Sequence, residues 1–293
     1  MMNAPPQIAE ACLTVAKNKA SMSIGKLIAL GFFAGVFIAL AGSGSIVASG
    51  AIANPSLAKL LSAVIFPVGL VMVIIAGAEL FTGNNLMIVG ILSKQITFAK
   101  MLRNWVVVYI ANFVGSIFVA WAVNFGGQLS IASNAIAVAT IKSGAYKCSL
   151  DFLPAMVLGI LCNTLVCVGV WMSFGAKTVS GKIIASFLPI MLFVVSGYEH
   201  CIANMYTIPS AIIANANPVY AQAAISAGID TQLLTWSNFF INNLIPVTLG
   251  NIIGGSLLVG VLYWLAYLKP AKPNEASPSE KEKSVSKAEL AIK

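Results

Sequence analysis

Apolar residues in this chain come in long blocks, not at the alternating or three-to-four spacing of a water-facing element. Six blocks run from about Leu27 to Ser49, Leu57 to Ser93, Trp105 to Val123, Leu153 to Phe174, Ile183 to Ala214 and Asn238 to Leu268. A helix needs about 20 apolar residues to cross the hydrocarbon of a bilayer. The second and fifth blocks are too long for one straight span, and each has a polar interruption. Glu79 is followed by TGNN in the second, and GYEH by IAN in the fifth. Such a block predicts a discontinuous helix with a loop at membrane depth. Loop backbone is tolerated there only where it is buried in protein or lines a watery path.

The two interruptions match each other. IIAGAELFTGNN at 74–85 aligns with VVSGYEHCIANM at 194–205, placing Gly77 on Gly197, Glu79 on Glu199 and Asn84 on Asn204. The third and sixth blocks share N-x-x-G, at Asn112 to Gly115 and Asn251 to Gly254. The pattern predicts a duplication of three spans plus three. An odd number of spans per half gives the halves opposite topology, so their broken helices approach from opposite faces of the membrane.

Composition agrees with a membrane protein: of 293 residues, 59% are hydrophobic and 9% charged. Soluble domains carry roughly 25% charge, which sets aside a soluble enzyme, a nucleic-acid binder and a disordered chain. The net charge of +8 belongs to loops and tails. With six spans, fourteen Lys and Arg fall on the side of the termini and three (Lys59, Lys142, Lys147) on the other. The positive-inside bias then predicts cytoplasmic termini and a multi-pass protein of the inner (cytoplasmic) membrane. We expect a cytoplasmic arm at 1–26, a transmembrane channel domain at 27–268, and a disordered Pro/Ser/Glu/Lys-rich tail at 269–293. Cys12, Cys148, Cys162, Cys167 and Cys201 form no C-x-x-C pair, so neither a disulfide framework nor a metal site is expected. No cofactor is implied.

Glu79, Glu199 and His200 are the plainly intramembrane ionisable residues, and each is costly against lipid. His200 is the only His in the chain. Burial disfavours its imidazolium, whereas an anion arriving beside it favours protonation, so it can couple anion passage to a proton. Glu79 and Glu199, with Asn84 and Asn204, read as structural groups holding the breaks. Thr82 and Asn163 are candidate polar pore liners, although an Asn in a span also serves as glue between helices. Lys147 either attracts anions to an outer mouth or pairs with Asp151 four residues on. Phe66, Leu70, Leu80, Phe81, Val166 and Phe193 are candidate apolar narrows, with ordinary core packing as the competing reading. Gly31 with Gly35, and Gly250 with Gly254, permit close helix approach.

From about Lys26 to Leu268 the chain resembles the formate/nitrite transporter family. The resemblance rests on ELFTGNN at 79–85, LCNTLVCVGVWMS at 161–173, SGYEHCIANM at 196–205 and NLIPVTLGNIIGG at 243–255. It implies an all-α, aquaporin-like fold of six transmembrane helices in an inverted three-plus-three repeat, with the second and fifth broken. It also implies a homopentamer with a pore in each protomer, and small monovalent anions as substrates. Carried over by motif, His200 is the central pore histidine, Thr82 the opposing threonine, and Asn163 a polar residue near the chamber. Lys147 is the loop lysine near Glu199 and Asn204, and the six apolar residues are the constrictions. FTGNN most resembles the hydrosulfide-channel branch. Gly83 and two Asn stand where formate channels have small hydroxyl and aliphatic residues.

The sequence therefore predicts a channel or facilitator for small weak-acid anions, hydrosulfide ahead of formate and nitrite, with formate or nitrite as the alternative main activity. Bare anions resist apolar narrows because dehydration is expensive, and a proton or hydrogen bond from His200 would lower that cost. A neutral-solute channel is the alternative of another class. A pore arginine would favour it, but Arg103, the only Arg, falls in a loop. A membrane enzyme would need a nucleophile with a base or a metal cluster, and neither pattern is present. A purely structural or sensory role leaves the intramembrane Glu, His and Asn without a path to line.

Overall fold

The computed structural model describes residues 2–270; most of the tail expected from 269 lies outside them. Among the described residues, besides a 3-10 turn at Gln128–Ser130, there are eleven helices: α1 Pro5–Ser21, α2 Ile24–Ser49, α3 Pro55–Gly77, α4 Phe81–Leu92, α5 Phe98–Phe125, α6 Ala135–Cys148, α7 Phe152–Gly175, α8 Val179–Ser196, α9 Cys201–Asn215, α10 Pro218–Ser226 and α11 Trp236–Tyr267. Six of them, α2, α3, α5, α7, α8 and α11, are long and apolar enough to cross a membrane. Side-chain caps set several starts. Ser23, Asn54, Thr97 and Thr178 each accept a hydrogen bond from a first-turn backbone N–H, opening α2, α3, α5 and α8.

The two halves pack alike. In α2, Gly35 lies against the backbone of Asn112 in α5, and Gly115 of α5 lies against the carbonyl of Phe32. In the second half, Gly250 and Gly254 of α11 meet the carbonyls of Met156 and Ile160 in α7. A Cβ at any of these positions would collide with partner backbone, so glycine sets the helix separation. Outward faces are apolar: Val106, Ile110, Val114, Phe118 and Trp121 of α5 are all exposed, at the spacing of one helical face. In hydrocarbon such a stripe carries no hydration cost.

The arm folds as a helix docked on the bundle. Ile8, Ala9 and Cys12 of α1 join Leu86, Val89, Cys167 and Trp171 in one buried cluster. Beyond the three-plus-three pattern, α1 and α6 also play equivalent parts: Lys19 near the end of α1 and Lys147 near the end of α6 reach equivalent carboxylates, as shown below.

Helices α3 and α8 end in the same way. Ala78 N–H donates to the Val73 carbonyl at 2.8 Å, and Tyr198 N–H to that of Phe193 at 3.1 Å. Both are six-to-one closures around a left-handed glycine, Gly77 at φ +83° and Gly197 at φ +74°. This terminator favours Gly because a Cβ is strained at that φ. The next residues run extended before α4 and α9 begin.

Candidate functional site

Each extended break is held by the same set of bonds. Glu79 N–H donates to the Leu30 carbonyl of α2 at 3.2 Å, and Glu199 N–H to the Leu158 carbonyl of α7 at 3.3 Å. Asn112 of α5 accepts from Phe81 N–H at 3.0 Å and donates to the carbonyls of Gly31 and Glu79 at 2.7 and 2.9 Å. Asn251 of α11 repeats this, accepting from Cys201 N–H at 3.0 Å and donating to Gly159 and Glu199 at 2.8 and 3.0 Å. A fully buried carboxamide supplies both donor and acceptor, so it satisfies backbone groups that the broken helix leaves open.

The buried carboxylates are compensated in parallel. Glu79 pairs with Lys19 at 2.5 Å and accepts from Asn84 at 2.8 Å; Asn84 also donates to Asn104. Glu199 pairs with Lys147 at 2.6 Å and accepts from Asn204 at 2.6 Å; Asn204 also donates to Asn243. Lys147 thus pairs with Glu199, the neighbour that the resemblance implies, and not with Asp151. Asp151 instead stands at the start of α7 without a side-chain cap bond.

The breaks meet at Thr82 and His200. Thr82 Oγ1 lies 3.0 Å from His200 Nε2, and both residues are buried. His200 caps α9, its Nδ1 accepting the Ala203 N–H at 3.1 Å. A backbone N–H can only donate, so this bond requires an unprotonated Nδ1 and leaves Nε2 as the N–H donor of a neutral ring. Thr82 sits in the first turn of α4. Two helix N-termini, each with its positive dipole end, therefore converge on one contact that carries an N–H and a hydroxyl.

On the Lys19 face a cavity of about 500 Å³ is lined by Lys19, Lys26, Lys182, Glu79, Leu70 and Leu80, among others. On the other side Phe66 packs edge-on against Phe193 at 5.7 Å, and Phe193 stacks with His200 at 5.9 Å. All six apolar candidates belong to one buried cluster, but they are not equivalent. Leu70 and Leu80 face the cavity, Phe193 covers His200, and Phe66 backs Phe193. Phe81 packs on Trp105 and Tyr109 of α5. Val166 is buried in the cluster. Asn163 donates to the carbonyls of Thr82 and Asn251 and to Asn85 Oδ1 at 3.2, 2.7 and 3.0 Å, so its amide tethers the first break to α11.

Sequence reasoning missed Lys19, Asn104 and Asn243, and noticed Asn112 and Asn251 only as part of N-x-x-G. The available signal was the repeat itself: once Lys147 was tied to Glu199, a basic residue had to be sought for Glu79. Among the described residues no group of three His, Cys, Asp or Glu could hold a metal.

This geometry can be compared with known proteins. The family model for the formate/nitrite transporter matches residues 6–265. The chain belongs to the formate/nitrite transporter family. A probable formate transporter of Methanothermobacter thermautotrophicus is 40% identical, over 90% of this chain and 97% of that relative. The formate channel FocA of Escherichia coli is 37% identical, over 90% of this chain and 94% of its own. A solved pentameric formate channel with formate bound superposes with a TM-score of 0.73 at 36% identity, covering 84% of this chain and 98% of that one. The family fold is the aquaporin-like arrangement of six spans. The protein is a multi-pass membrane channel of this family, not an enzyme.

Proposed function

We propose that the chain conducts small monovalent weak-acid anions through the Thr82–His200 junction, with formate as the lead substrate. The observation that carries this reading is the convergence of two half-helix N-termini on a buried N–H and hydroxyl. An anion stripped of water by Phe66 and Phe193 gains charge-assisted hydrogen bonds there without facing a bare carboxylate, because Lys19 and Lys147 neutralise Glu79 and Glu199. His200 acts as a neutral donor: a proton on Nδ1 would break the Ala203 cap. Any proton crossing with the anion then comes from water or from the weak acid itself, not from a charged His200.

Formate takes precedence over the hydrosulfide favoured by the loop sequence. Relatives named as formate channels and transporters support it, and so does the use made of the FTGNN loop. Asn84 binds Glu79 and Asn104, while Asn85 binds the Phe81 carbonyl and Asn163. These side chains hold the break, so the departure from the formate-channel pattern changes how the loop is pinned. Gly83 lines the cavity and keeps hydrosulfide as the second reading. By the charge bias, the Lys19 face and both termini are cytoplasmic. By analogy with the solved relative, the assembly is a pentamer with one pore per protomer.

The test is flux of formate, hydrosulfide, nitrite and chloride into proteoliposomes under one gradient. Formate should cross fastest and chloride slowest. Hydrosulfide ahead of formate would reassign the substrate. Water or glycerol permeation without anion flux would overturn the reading.

A further inference from the structure

A second cavity, of about 500 Å³, opens on the Lys147 face and shares no lining residue with the Thr82–His200 junction. Helix α6 forms one wall through Val138, Lys142 and Tyr146. The link between α10 and α11 forms the other through Ile229, Asp230 and Leu233. Lys142 stands five residues before Lys147 on α6, about 140° around the helix, which turns it away from the side that meets Glu199. Into mainly apolar walls, Lys142 and Asp230 bring one charge of each sign. Among the described residues neither makes an ion pair. Asp230 is also fixed in place: its Oδ1 accepts the Gln232 N–H at 2.9 Å, which leaves Oδ2 open to a cation.

The spans beside the cleft set its depth. Ser149 in its lining stands three residues before Phe152, where α7 begins, and Leu233 three residues before Trp236, where α11 begins. Helix α11 runs for 32 residues and α7 for 24. Both exceed the ~20 residues that cross the hydrocarbon, so their first turns reach the headgroup layer. Tyr146 and Trp236 are exposed there, and rings with one polar tip are the side chains a membrane interface favours. Phe152 and Leu153 of the first turn of α7 are exposed as well, on the path that acyl chains would take.

We propose that this cleft binds the headgroup of a zwitterionic phospholipid with a primary ammonium, a phosphatidylethanolamine. Its phosphate lies on Lys142, its ammonium on Asp230, and its acyl chains run over the first turns of α7 and α11. The phosphodiester forms a charge-assisted contact with the Lys142 ammonium. The lipid's own ammonium brings three N–H donors to the open Asp230 oxygen, whereas a quaternary choline brings none. An anionic glycerol headgroup leaves Asp230 without a cation. The two charges together therefore select against both alternatives. The inference needs only the membrane fold and holds whichever anion the pore conducts.

The experiment is native mass spectrometry of the assembled protein, titrated with phosphatidylethanolamine, phosphatidylcholine and phosphatidylglycerol of matched chains. It counts bound lipid per protomer for wild type, Lys142→Gln, Asp230→Asn and the double variant. Wild type should bind the ethanolamine lipid about two- to fivefold more tightly than the other two, the range of an exposed ion pair. Asp230→Asn should abolish that preference. Lys142→Gln should weaken all three lipids, because all three carry the phosphate. Equal binding of the three lipids by wild type would overturn the inference, and so would a preference that survives Asp230→Asn. Loss of subunits from the double variant would assign the cleft to a neighbouring copy of the chain. Free O-phosphoethanolamine binding as tightly as the lipid would assign it to a soluble zwitterion. Either of these results would also overturn the lipid site.

Discussion

Replacing Asn251 by Ala should cost more stability than its small size suggests. The side chain is fully buried and makes three bonds, accepting from Cys201 N–H and donating to the carbonyls of Gly159 and Glu199. The Gly159 carbonyl sits inside α7 and keeps access to its own helix ladder. The other two groups belong to the break and lose their partner. A buried backbone group left unpaired costs about 1–3 kcal/mol, so the pair sets a loss of about 2–6 kcal/mol. Asn112→Ala should behave in parallel, because it strands Phe81 N–H and the Glu79 carbonyl in the same way. The assay is denaturant titration of the purified protein in mild detergent, read by tryptophan fluorescence, with formate flux measured alongside. Both variants should unfold earlier and conduct less. If either stays within about 0.5 kcal/mol of wild type, a small change by the usual range for unremarkable substitutions, the clamp argument is wrong.

Glycine positions at the helix crossings should be intolerant. Gly35→Ala and Gly250→Ala should each lose about 1–3 kcal/mol, because the added Cβ meets partner backbone, whereas Gly25→Ala, with nothing within 4 Å, should be neutral or slightly stabilising in the same titration. Lys147→Gln leaves the Glu199 carboxylate buried without its cation and should destabilise by about 3–5 kcal/mol; adding Glu199→Gln should recover part of that loss, which a double-mutant cycle measures. Burial pushes the Cys12 thiol up to about 12 and the Cys148 thiol up to about 11. Both therefore stay protonated below pH 9 in the folded protein, and maleimide should label them only after denaturation, as counted by mass spectrometry.

Much of this molecule was legible in the sequence because a bilayer punishes polar atoms so heavily. Glu79 and Glu199 in apolar blocks could only mean breaks, and their alignment with Gly77, Gly197, Asn84 and Asn204 exposed the repeat. The left-handed glycines were visible as matched positions, though their six-to-one closures were not. What stayed hidden depended on contacts distant in the chain. Lys19 looked like one more charge in a basic arm, yet it closes an ion pair 60 residues away. Asn163 looked equally suited to a pore wall or to helix glue, and its bonds to Thr82, Asn85 and Asn251 join segments about 80 residues apart that spacing could not connect. Phe81 sits in the same motif as Thr82, but periodicity in the first turn after a break cannot say which way it turns, and it turns to Trp105 and Tyr109.

Formate flux through His200→Asn and His200→Phe, compared with wild type in one proteoliposome assay, tests the central claim most directly. Asparagine keeps both a helix cap and a neutral N–H donor, so that variant should stay within about tenfold of wild type. Phenylalanine fills the space without a donor. Losing a hydrogen bond to a charged group costs about 1.5–3 kcal/mol, so its flux should fall by about ten- to a hundredfold. Wild-type flux in His200→Phe would show that the anion does not pass the Thr82–His200 junction. An Asn variant as inactive as the Phe variant would show that neutral donation is not what His200 provides.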